Sequence, residues 1–450
     1  MIGIVVAVAR KVRIGVLGCG TVGSGLLELL EARKEHILRT SGVELVVTGV
    51  AVRNVSRDRN FDVEPKLLTT QAEALVTSDD VDIVVELIGG IEPARALCEA
   101  ALKAGKPVVT ANKELLANVG FPLYELADQN GVDFLYEASA AASIPIVRAL
   151  RESLVGEDIT RIMGIVNGTT NYILSRMSDE GASYADVLSE AQRLGYAERD
   201  PTADVEGFDA GAKAAILASI AFGQKVVAGD VYHEGIADIT LGDIAFVQKL
   251  GFEVKLLAVA ERFDTKDADG RPGSEIGVRV HPAMIPMDHP LASVRGSFNA
   301  VFVEAEAAGE LMFYGRGAGG LPTASAVLGD LIDAATNLTR GAHEPVPSGD
   351  RAVIRAIDRL ETPFYLNLEV IDSPGVLAEV ADVFGRHNVS ISSMEQTTLK
   401  PGEARSEQAE ARLVFITHVA VESDMHATVA ELRRLGSVAG VVNMMRVIGS

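Results

Sequence analysis

A short acidic segment in the middle of the chain has the composition of a loop that binds a polar ligand. Five carboxylates fall within the twelve residues from Glu198 to Asp209, and glycine and proline interrupt the helical pattern around them. Binding residues are often carried on loops of this kind. We predict that Glu198 and Asp204 bind the ammonium group of an amino-acid substrate; the alternative is a loop that is merely solvated.

Lys213 follows this segment on a predicted helix and is the candidate proton donor. Asp209 and Lys213 are four residues apart, so they share one face of the helix. The residues from Ala214 to Ala218 are too apolar for a free surface, which places the pair at a buried edge. Reduction of a carbonyl needs a hydride, and a proton that an ammonium group can donate to the developing alkoxide. We therefore predict that Lys213 is the catalytic acid and that Asp209 holds it.

A glycine-rich turn near the start of the chain predicts a dinucleotide site. Residues 18–23 read GCGTVG, directly after a predicted strand and at the opening of a predicted helix. Gly18 permits the tight turn, Gly20 lets the backbone approach a pyrophosphate, and Gly23 lets the helix pack on the strand. The helix N-terminus attracts the anion. Thr21 and Val22 complete the predicted cofactor site.

Two basic residues follow other predicted strands of the same region. The second strand runs into Arg53, where a carboxylate that binds the ribose 2′-hydroxyl is normally found. An arginine at that place favours a 2′-phosphate and therefore NADPH, with NADH as the alternative cofactor and a solvated basic turn as the alternative role. Lys113 follows a strand at the edge where such sheets bind ligands, so we predict that it lies near the nicotinamide or substrate rather than in solvent.

The elements that carry these residues predict three domains. From Lys11 to about Ala138, Val- and Ile-rich runs alternate with helical stretches, as in a doubly wound parallel sheet of the Rossmann type. Mixed signals then predict an α+β domain with an open mixed sheet, and the tail follows the ferredoxin-like order βαββαβ. The predicted boundaries are 1–143 for nucleotide binding, 144–340 for catalysis and dimerisation, with a last helix that packs back on the first domain, 341–361 for a linker, and 362–450 for the tail.

Local patterns place individual elements inside the second domain. Amphipathic periodicity predicts two helices, and short apolar runs predict the strands. The predicted helices are Tyr184–Leu194 and Asp209–Phe222, and the predicted strands are Ile159–Ile165, Phe252–Arg262, Gly277–His281 and Ala300–Glu306. In the tail, residues 400–410 read as a charged hairpin loop.

Composition excludes several classes of protein. The formal net charge of −21 argues against nucleic-acid and anionic membrane partners. Cys19 and Cys98 are too few for a disulfide framework and lack zinc-site spacing, which fits a cytoplasmic enzyme. The apolar stretch from Met1 to Ala9 is shorter than the roughly 20 residues of a spanning helix, so we expect an N-terminal extension.

Three longer motifs are GIVNGTTNYIL from Gly164, GYAERDPTADVEGFDAGAK from Gly195, and GRGAGG from Gly315. With these motifs the sequence resembles homoserine dehydrogenases over about Lys11 to Arg340. It implies NAD(P)H-dependent interconversion of L-aspartate 4-semialdehyde and L-homoserine in threonine, methionine and isoleucine biosynthesis.

The resemblance also implies roles for single residues. Lys213 matches the catalytic lysine, and Lys113 matches a lysine near the reacting centre. Glu198 and Asp209 match acids that contact the substrate or position the catalytic lysine. Two glycines would lie against the cofactor, and four residues would bind a monovalent cation, usually sodium, mostly through backbone carbonyls. These are Gly168 and Gly317 for the cofactor, and Glu137, Ala140, Ala142 and Ile144 for the cation.

The tail, with DSPGVLA from Asp372, resembles an ACT domain. This module often pairs with a second copy across a subunit interface, and the resemblance implies feedback inhibition by L-threonine. Open sheet edges and the ACT-like tail together favour a homodimer or homotetramer. The alternative is a tail that is purely structural or dimerising.

Two other functions compete with this prediction. An aspartate semialdehyde dehydrogenase needs a cysteine nucleophile, and neither Cys19 nor Cys98 is plausibly placed. A catalytically silent sensor of nucleotides and amino acids would keep both folds, but the set of Lys213, Asp209 and Glu198 argues against it.

Overall fold

The computed structural model describes residues 10–266, 270–345, 349–399 and 409–448. The predicted N-terminal extension and residues 400–408 of the predicted hairpin loop lie outside the described residues. The chain forms two compact units, each assembled from three segments. The first unit is Met1–Ile159, Ala212–Asp230 and Asn299–Ala352, and the second is Thr160–Gly211, Val231–Phe298 and Val353–Ser450.

Strands and helices alternate along most of the chain. The strands are β1 Arg10–Leu17, β2 Val43–Ala51, β3 Leu68–Thr69, β4 Ile83–Glu86, β5 Val108–Thr110, β6 Phe134–Leu135, β7 Ile159–Ile165, β8 Tyr232–His233, β9 Phe252–Lys266, β10 Pro272–Pro286, β11 Phe298–Ala305, β12 Gly309–Arg316, β13 Glu361–Thr362, β14 Phe364–Val370, β15 Ile391–Thr398, β16 Ala411–Thr417, β17 Ala420–Val421 and β18 Val438–Val447. The helices are α1 Thr21–Ala32, α2 Lys34–Ser41, α3 Ala72–Thr77, α4 Ala94–Lys103, α5 Lys113–Asn130, α6 Ala138–Ala141, α7 Ile146–Arg148, α8 Gly168–Glu180, α9 Tyr184–Leu194, α10 Thr202–Val205, α11 Phe208–Phe222, α12 Leu241–Lys249, α13 Gly320–Arg340, α14 Val376–Arg386 and α15 Glu422–Leu432.

A parallel sheet of the order β3-β2-β1-β4-β5-β6 forms the centre of the first unit. This is the predicted doubly wound sheet, and it is confirmed. The second half of its central strand β1 is apolar, and Ile14 and Val16 are fully buried, as is typical of a parallel sheet covered on both faces. Helix α13 packs in the same apolar core, to which it contributes Val327 and Leu331.

The second unit contains a mixed sheet in which neighbouring strands follow the order β7-β9-β10-β18-β14-β16-β15, with β8 beside β10. The long hairpin of β9 and β10 pairs Phe252 with Pro286 at one end and Lys266 with Pro272 at the other. Strand β7 is antiparallel to β9. The predicted open mixed sheet is therefore confirmed, and the two hairpin strands are longer than the sequence pattern indicated.

The tail has the predicted order βαββαβ, formed by β14, α14, β15, β16, α15 and β18. Its strands lie in the order β18-β14-β16-β15 and are antiparallel. Strand β18 also pairs with β10 in parallel, through Ala283 with Arg446 and Met284 with Val447. The sheet of the tail is thus continuous with the sheet of the preceding region.

Within the described ranges, no helix combines the length and the apolar composition that a bilayer crossing requires.

Candidate active site

The glycine turn between β1 and α1 is shaped by close backbone packing. Gly18 has φ +97°, and a Cβ at this residue would lie 2.6 Å from the carbonyl oxygen of Leu87. A Cβ on Gly23 would lie 2.4 Å from the carbonyl oxygen of Gly18. Real Cβ atoms do not approach oxygen this closely, so both positions need glycine for the turn to close and the helix to pack.

Gly20 differs from these two glycines because an added Cβ would meet no atom of the described chain within 4 Å. It precedes α1, whose first turn has no side-chain cap and no acidic residue. The amides at this helix end are therefore not capped by a side chain. Thr21 is exposed and Val22 half-buried at the same end. This arrangement fits a pyrophosphate, which binds to free amides at a helix N-terminus.

The second glycine-rich stretch lies against this turn. A Cβ on Gly320 would lie 2.9 Å from Cγ2 of Thr21, so the first turns of α13 and α1 touch. Gly317, three residues earlier, packs flat on Asn299, whose Nδ2 would be 1.8 Å from an added Cβ. Gly317, predicted to contact the cofactor, thus lies on a stretch that packs on the glycine turn. Gly168, predicted with it, is the first residue of α8 in the second unit.

Glu86 orders the loop beside the glycine turn, and the sequence analysis gave it no role. It is fully buried at the end of β4, and its Oε1 accepts hydrogen bonds from the amides of Ile88 (2.7 Å) and Gly89 (3.2 Å). Its Oε2 accepts a hydrogen bond of 2.6 Å from the hydroxyl of Thr110 at the end of β5. Glu86 therefore fixes the loop against which Gly18 packs. A carboxylate ending a Val-rich strand was the available signal.

Lys113 begins α5 at the carboxyl end of β5, where it was predicted. Asn112 caps this helix by accepting a hydrogen bond from the amide of Leu115. The Asn112 side chain also donates to the carbonyl oxygen of Gly90 at 2.6 Å, which ties the helix start to the loop after β4. Lys113 itself is half-buried.

Asn167 brings two of the predicted acids together. Its Nδ2 donates to Oδ1 of Asp204 at 2.7 Å and to Oδ2 of Asp209 at 2.9 Å. Its Oδ1 accepts from the amide of Thr170, so the same side chain caps α8. Asn167 is only 4% exposed, and the sequence analysis gave it no role. Its position as a helix cap was the signal that marked it as an ordered side chain.

Helix α11 carries Asp209 and Lys213 one turn apart, and each is 8% exposed. Both side chains are therefore buried, as predicted for this helix. Glu198 differs from the other acids because its residue is exposed. Its carbonyl oxygen accepts a hydrogen bond of 3.1 Å from Gln192, which fixes its backbone while the carboxylate stays outside the Asn167 network of the described residues.

Glu137 begins the segment predicted to bind a cation, and its carboxylate is held by the backbone. Oε1 accepts from the amide of Val147 at 2.9 Å and Oε2 from the amide of Arg148 at 2.8 Å. The amide of Glu137 donates to buried Asp330 on α13. Burial raises the pKa of Glu137, and burial followed by the negative charge of Glu137 raises the pKa of Asp330 to about 8.

The middle of this segment has an uncommon backbone. Ala140 is fully buried in α6, and Ala142, which follows α6, has φ +48° and ψ −108°. Ile144 packs on Gly315 of the second glycine stretch, at 3.1 Å from an added Cβ. Among the described residues there is no group of three or more His, Cys, Asp or Glu side chains that could hold a metal. A cation here would therefore depend on backbone carbonyls.

We expect Ala142→Gly to raise the free energy of unfolding by about 1 kcal/mol. A non-glycine residue in the left-handed region costs roughly 1–2 kcal/mol, which exceeds the entropy that glycine loses on folding. Urea unfolding measures the change. Ala140→Gly is the matched control, and it should destabilise by about 1 kcal/mol because it lies within α6. Equal destabilisation by both variants would show that Ala142 is unstrained.

Neither cysteine is placed as a nucleophile. Cys98 is fully buried on α4, and its burial raises the pKa of the thiol well above the ordinary value, so it stays protonated. Cys19 lies in the glycine turn, with its sulfur 3.6 Å from the hydroxyl oxygen of Ser24. A thioester mechanism has no support in this arrangement.

Comparisons with known proteins agree with the geometry. Family profiles described as "Homoserine dehydrogenase, NAD binding domain", "Homoserine dehydrogenase" and "ACT domain" match residues 18–137, 145–332 and 364–437. Homoserine dehydrogenase of Corynebacterium glutamicum is 49% identical over 436 residues, which cover 97% of this chain and 95% of the relative. That of Mycobacterium tuberculosis strain H37Rv is 47% identical over 442 residues, 98% of each chain.

Solved structures give the same result. A homoserine dehydrogenase from Thiobacillus denitrificans matches with a TM-score of 0.87 and 39% identity, and the match covers 97% of this chain and 98% of that one. A hyperthermophilic archaeal homoserine dehydrogenase mutant in complex with NADPH matches with a TM-score of 0.60 and 31% identity, over 72% of this chain and 98% of that one.

A parallel sheet with an uncapped helix end at its glycine turn is a fold that binds NAD(P), and the chain is an NAD(P)-dependent oxidoreductase. The matches extend over nearly its whole length. The chain belongs to the homoserine dehydrogenase family. The family predicted from the sequence is confirmed, as is the C-terminal ACT domain.

Proposed function

We propose that this chain uses NADPH to reduce L-aspartate 4-semialdehyde to L-homoserine, with Lys213 as the proton donor. The observation that carries the proposal is the buried pair on α11, Asp209 and Lys213, each 8% exposed. An ammonium group that is withdrawn from water and lies one turn from a carboxylate is suited to hold a proton and release it to a developing alkoxide.

The other predicted residues bind and orient. Asp204, fixed by the side chain of Asn167, and Glu198 receive the ammonium group of the substrate. The amides at the start of α1 bind the pyrophosphate, and Glu86 keeps the neighbouring loop rigid. Gly168, Gly317 and Lys113 lie against the cofactor in this proposal. When bound, the reduced cofactor supplies the hydride.

Turnover by the purified protein tests the proposed reaction. NADPH oxidation is measured with L-aspartate 4-semialdehyde in a buffer that contains sodium, and NADH is assayed at the same concentration. We expect turnover, faster with NADPH. A folded protein that oxidises neither cofactor would favour the sensor that the sequence left as an alternative.

Arg53 is proposed to read the 2′-phosphate of NADPH. It lies two residues beyond β2 and is exposed. Arg59 donates to the carbonyl oxygens of Val55 and Arg57 and so shapes the turn that follows. A guanidinium in this place binds a phosphate through charge-assisted hydrogen bonds.

We expect Arg53→Ala to raise the KM for NADPH about tenfold and to leave the KM for NADH nearly unchanged, because only NADPH carries the phosphate. Steady-state kinetics with both cofactors measure the difference. Arg39→Ala removes an exposed arginine of α2 and serves as the control. If both KM values rise alike in Arg53→Ala, this residue does not distinguish the cofactors.

Sodium is the proposed cation, at the backbone carbonyls of Glu137, Ala140, Ala142 and Ile144. The positive φ of Ala142 supports a site here, because uncommon backbone angles cluster at ligand sites. Turnover with and without sodium, at constant ionic strength, tests it. Turnover that is independent of sodium would contradict this site.

Feedback inhibition by L-threonine through the ACT domain is part of the same proposal. Helix α14 begins after Gly375 with no side-chain cap, so its amides suit an amino-acid carboxylate. Inhibition of the full chain by millimolar L-threonine tests this, and its absence would leave the tail a structural role.

We further propose a cytoplasmic homodimer or homotetramer with domain boundaries near residues 143, 340 and 361. Light scattering of the purified chain measures the oligomeric state.

A further inference from the structure

A cavity of about 180 Å³ lies in the second unit, and none of the proposed active-site residues lines it. We name it the arginine pocket. It lies between strands β9 and β10 and the segment before β14. The start of α15 and the end of β18, both in the ACT domain, also line it. The side chains that define it are Glu261, Phe263, Arg279, Arg355, Glu422 and Arg446.

Arg446 is the saturated cation of the arginine pocket. It is 1% exposed and forms two hydrogen bonds with Glu234, at 2.9 and 2.8 Å. It also donates to Glu422, which is fully buried. These carboxylates balance its charge, so Arg446 builds the floor of the cavity and leaves ligand binding to other groups.

Arg279 and Arg355 each have one buried nitrogen without a hydrogen-bond acceptor among the described residues. Arg279 is 6% exposed and donates through Nη2 to Glu261 at 3.0 Å, but its buried Nη1 has no hydrogen-bond partner among the described residues. Arg355 lies over the ring of Phe263 at 4.5 Å, and its buried Nε is also without a partner among them. Buried charged donors without an acceptor are costly, and an anionic ligand would remove this cost.

The charges around the cavity select the kind of ligand. Planar guanidinium groups bind carboxylates and phosphates. Here, however, each arginine already has a carboxylate partner, and Glu361 also lines the cavity. The pairs are Arg279 with Glu261, Arg355 with Glu275 and Arg446 with Glu422. A phosphate dianion would meet these carboxylates, whereas a zwitterion carries one charge of each sign. The cavity volume of about 180 Å³ suits a small molecule.

We propose that the arginine pocket binds a free amino acid with a small neutral side chain, whose carboxylate is held by Arg279 and Arg355. This site is separate from the turn at Gly375. Burial is the main cause that lowers the pKa of Arg279, and a bound carboxylate would counter that effect.

Occupation of the arginine pocket would join three parts of the second unit. Arg279 belongs to β10, and Arg355 belongs to the segment before β14. The backbone amide of Arg355 donates to the carbonyl oxygen of Ile276 at 3.0 Å. The amide of Glu422 donates to the carbonyl oxygen of Leu360 at 2.9 Å. A ligand here would tie this connecting segment to both the central strands and the ACT domain.

Isothermal titration calorimetry of the full chain tests the proposal without requiring turnover. The probes are L-alanine, L-threonine and L-methionine, with L-threoninamide and inorganic phosphate as controls that lack the carboxylate or the zwitterion. We expect at least one of the three amino acids to bind, and neither control. Phosphate binding in place of the amino acids, or no binding by any probe, would overturn the proposal.

Variants locate the binding. Arg279→Lys keeps the charge opposite Glu261 but loses the second guanidinium nitrogen. We expect this variant to raise the Kd for the amino acid about tenfold. Arg355→Lys should act in the same direction and covers the case that the first variant does not fold. Arg359→Lys is the control, because Arg359 pairs with the same Glu275 as Arg355 but does not line the cavity. Unchanged binding in both pocket variants, or loss only in Asp372→Ala near the turn at Gly375, would place the site elsewhere.

Discussion

Lys213→Ala is expected to lower kcat about 10²- to 10⁴-fold, the range that general acid–base catalysis contributes. The KM for NADPH should change little, because Lys213 acts on the carbonyl oxygen and not on the cofactor. Lys213 is buried on α11, one turn after Asp209. Steady-state kinetics with L-aspartate 4-semialdehyde measure both constants.

Two controls separate chemistry from folding in this experiment. Lys249→Ala removes a lysine whose side chain is 62% exposed and paired with Glu395, and it should keep normal kcat. Added ethylamine should restore part of the activity of Lys213→Ala by supplying the missing ammonium group. A near-normal kcat, or a loss explained by a lowered unfolding midpoint, would remove Lys213 from the mechanism.

Gly20→Ala should leave stability within about 0.5 kcal/mol of the parent while raising the KM for NADPH about 10- to 100-fold. An added Cβ meets no described atom within 4 Å, and the φ of −86° suits alanine without strain. The methyl group would, however, stand where the pyrophosphate approaches the amides of α1. Urea unfolding and cofactor kinetics measure the two effects.

Gly23→Ala is the matched variant, and we expect it to lower stability more than Gly20→Ala does. Its Cβ would lie 2.4 Å from the carbonyl oxygen of Gly18, so overpacking should destabilise the fold by about 1–3 kcal/mol. If Gly20→Ala instead destabilises the chain and binds NADPH normally, the open space beside Gly20 is not the cofactor site.

Local signals predicted some elements to the residue. Helix α9 was predicted and observed as Tyr184–Leu194 because both ends are coded locally. Ser183 accepts a hydrogen bond from the amide of Asp186, and Gly195 adopts the left-handed conformation that ends a helix. Strand β10 was predicted as Gly277–His281 but extends over Pro272–Pro286. The prolines in β10 interrupt the sequence pattern that is typical of a strand. Pairing with β9 nevertheless keeps the chain extended from Pro272 to Pro286.

The site was predicted in its members but not in its connections. The acids Asp204 and Asp209 were evident from composition, whereas Asn167 lies 37 and 42 residues before them. The bond from the Glu137 amide to Asp330 spans 193 residues. Such partners are set by the folded chain, so periodicity and turn chemistry do not reveal them.

The pairing of β18 with β10 has a consequence for any experiment that shortens the chain. Removal of the ACT domain would strip Ala283 and Met284 of their partner strand and leave Glu234 without the guanidinium of Arg446. A newly unpaired strand edge is a template for self-association. A chain that ends near Glu361 is therefore expected to aggregate, and its loss of inhibition would report a damaged sheet rather than a missing effector site.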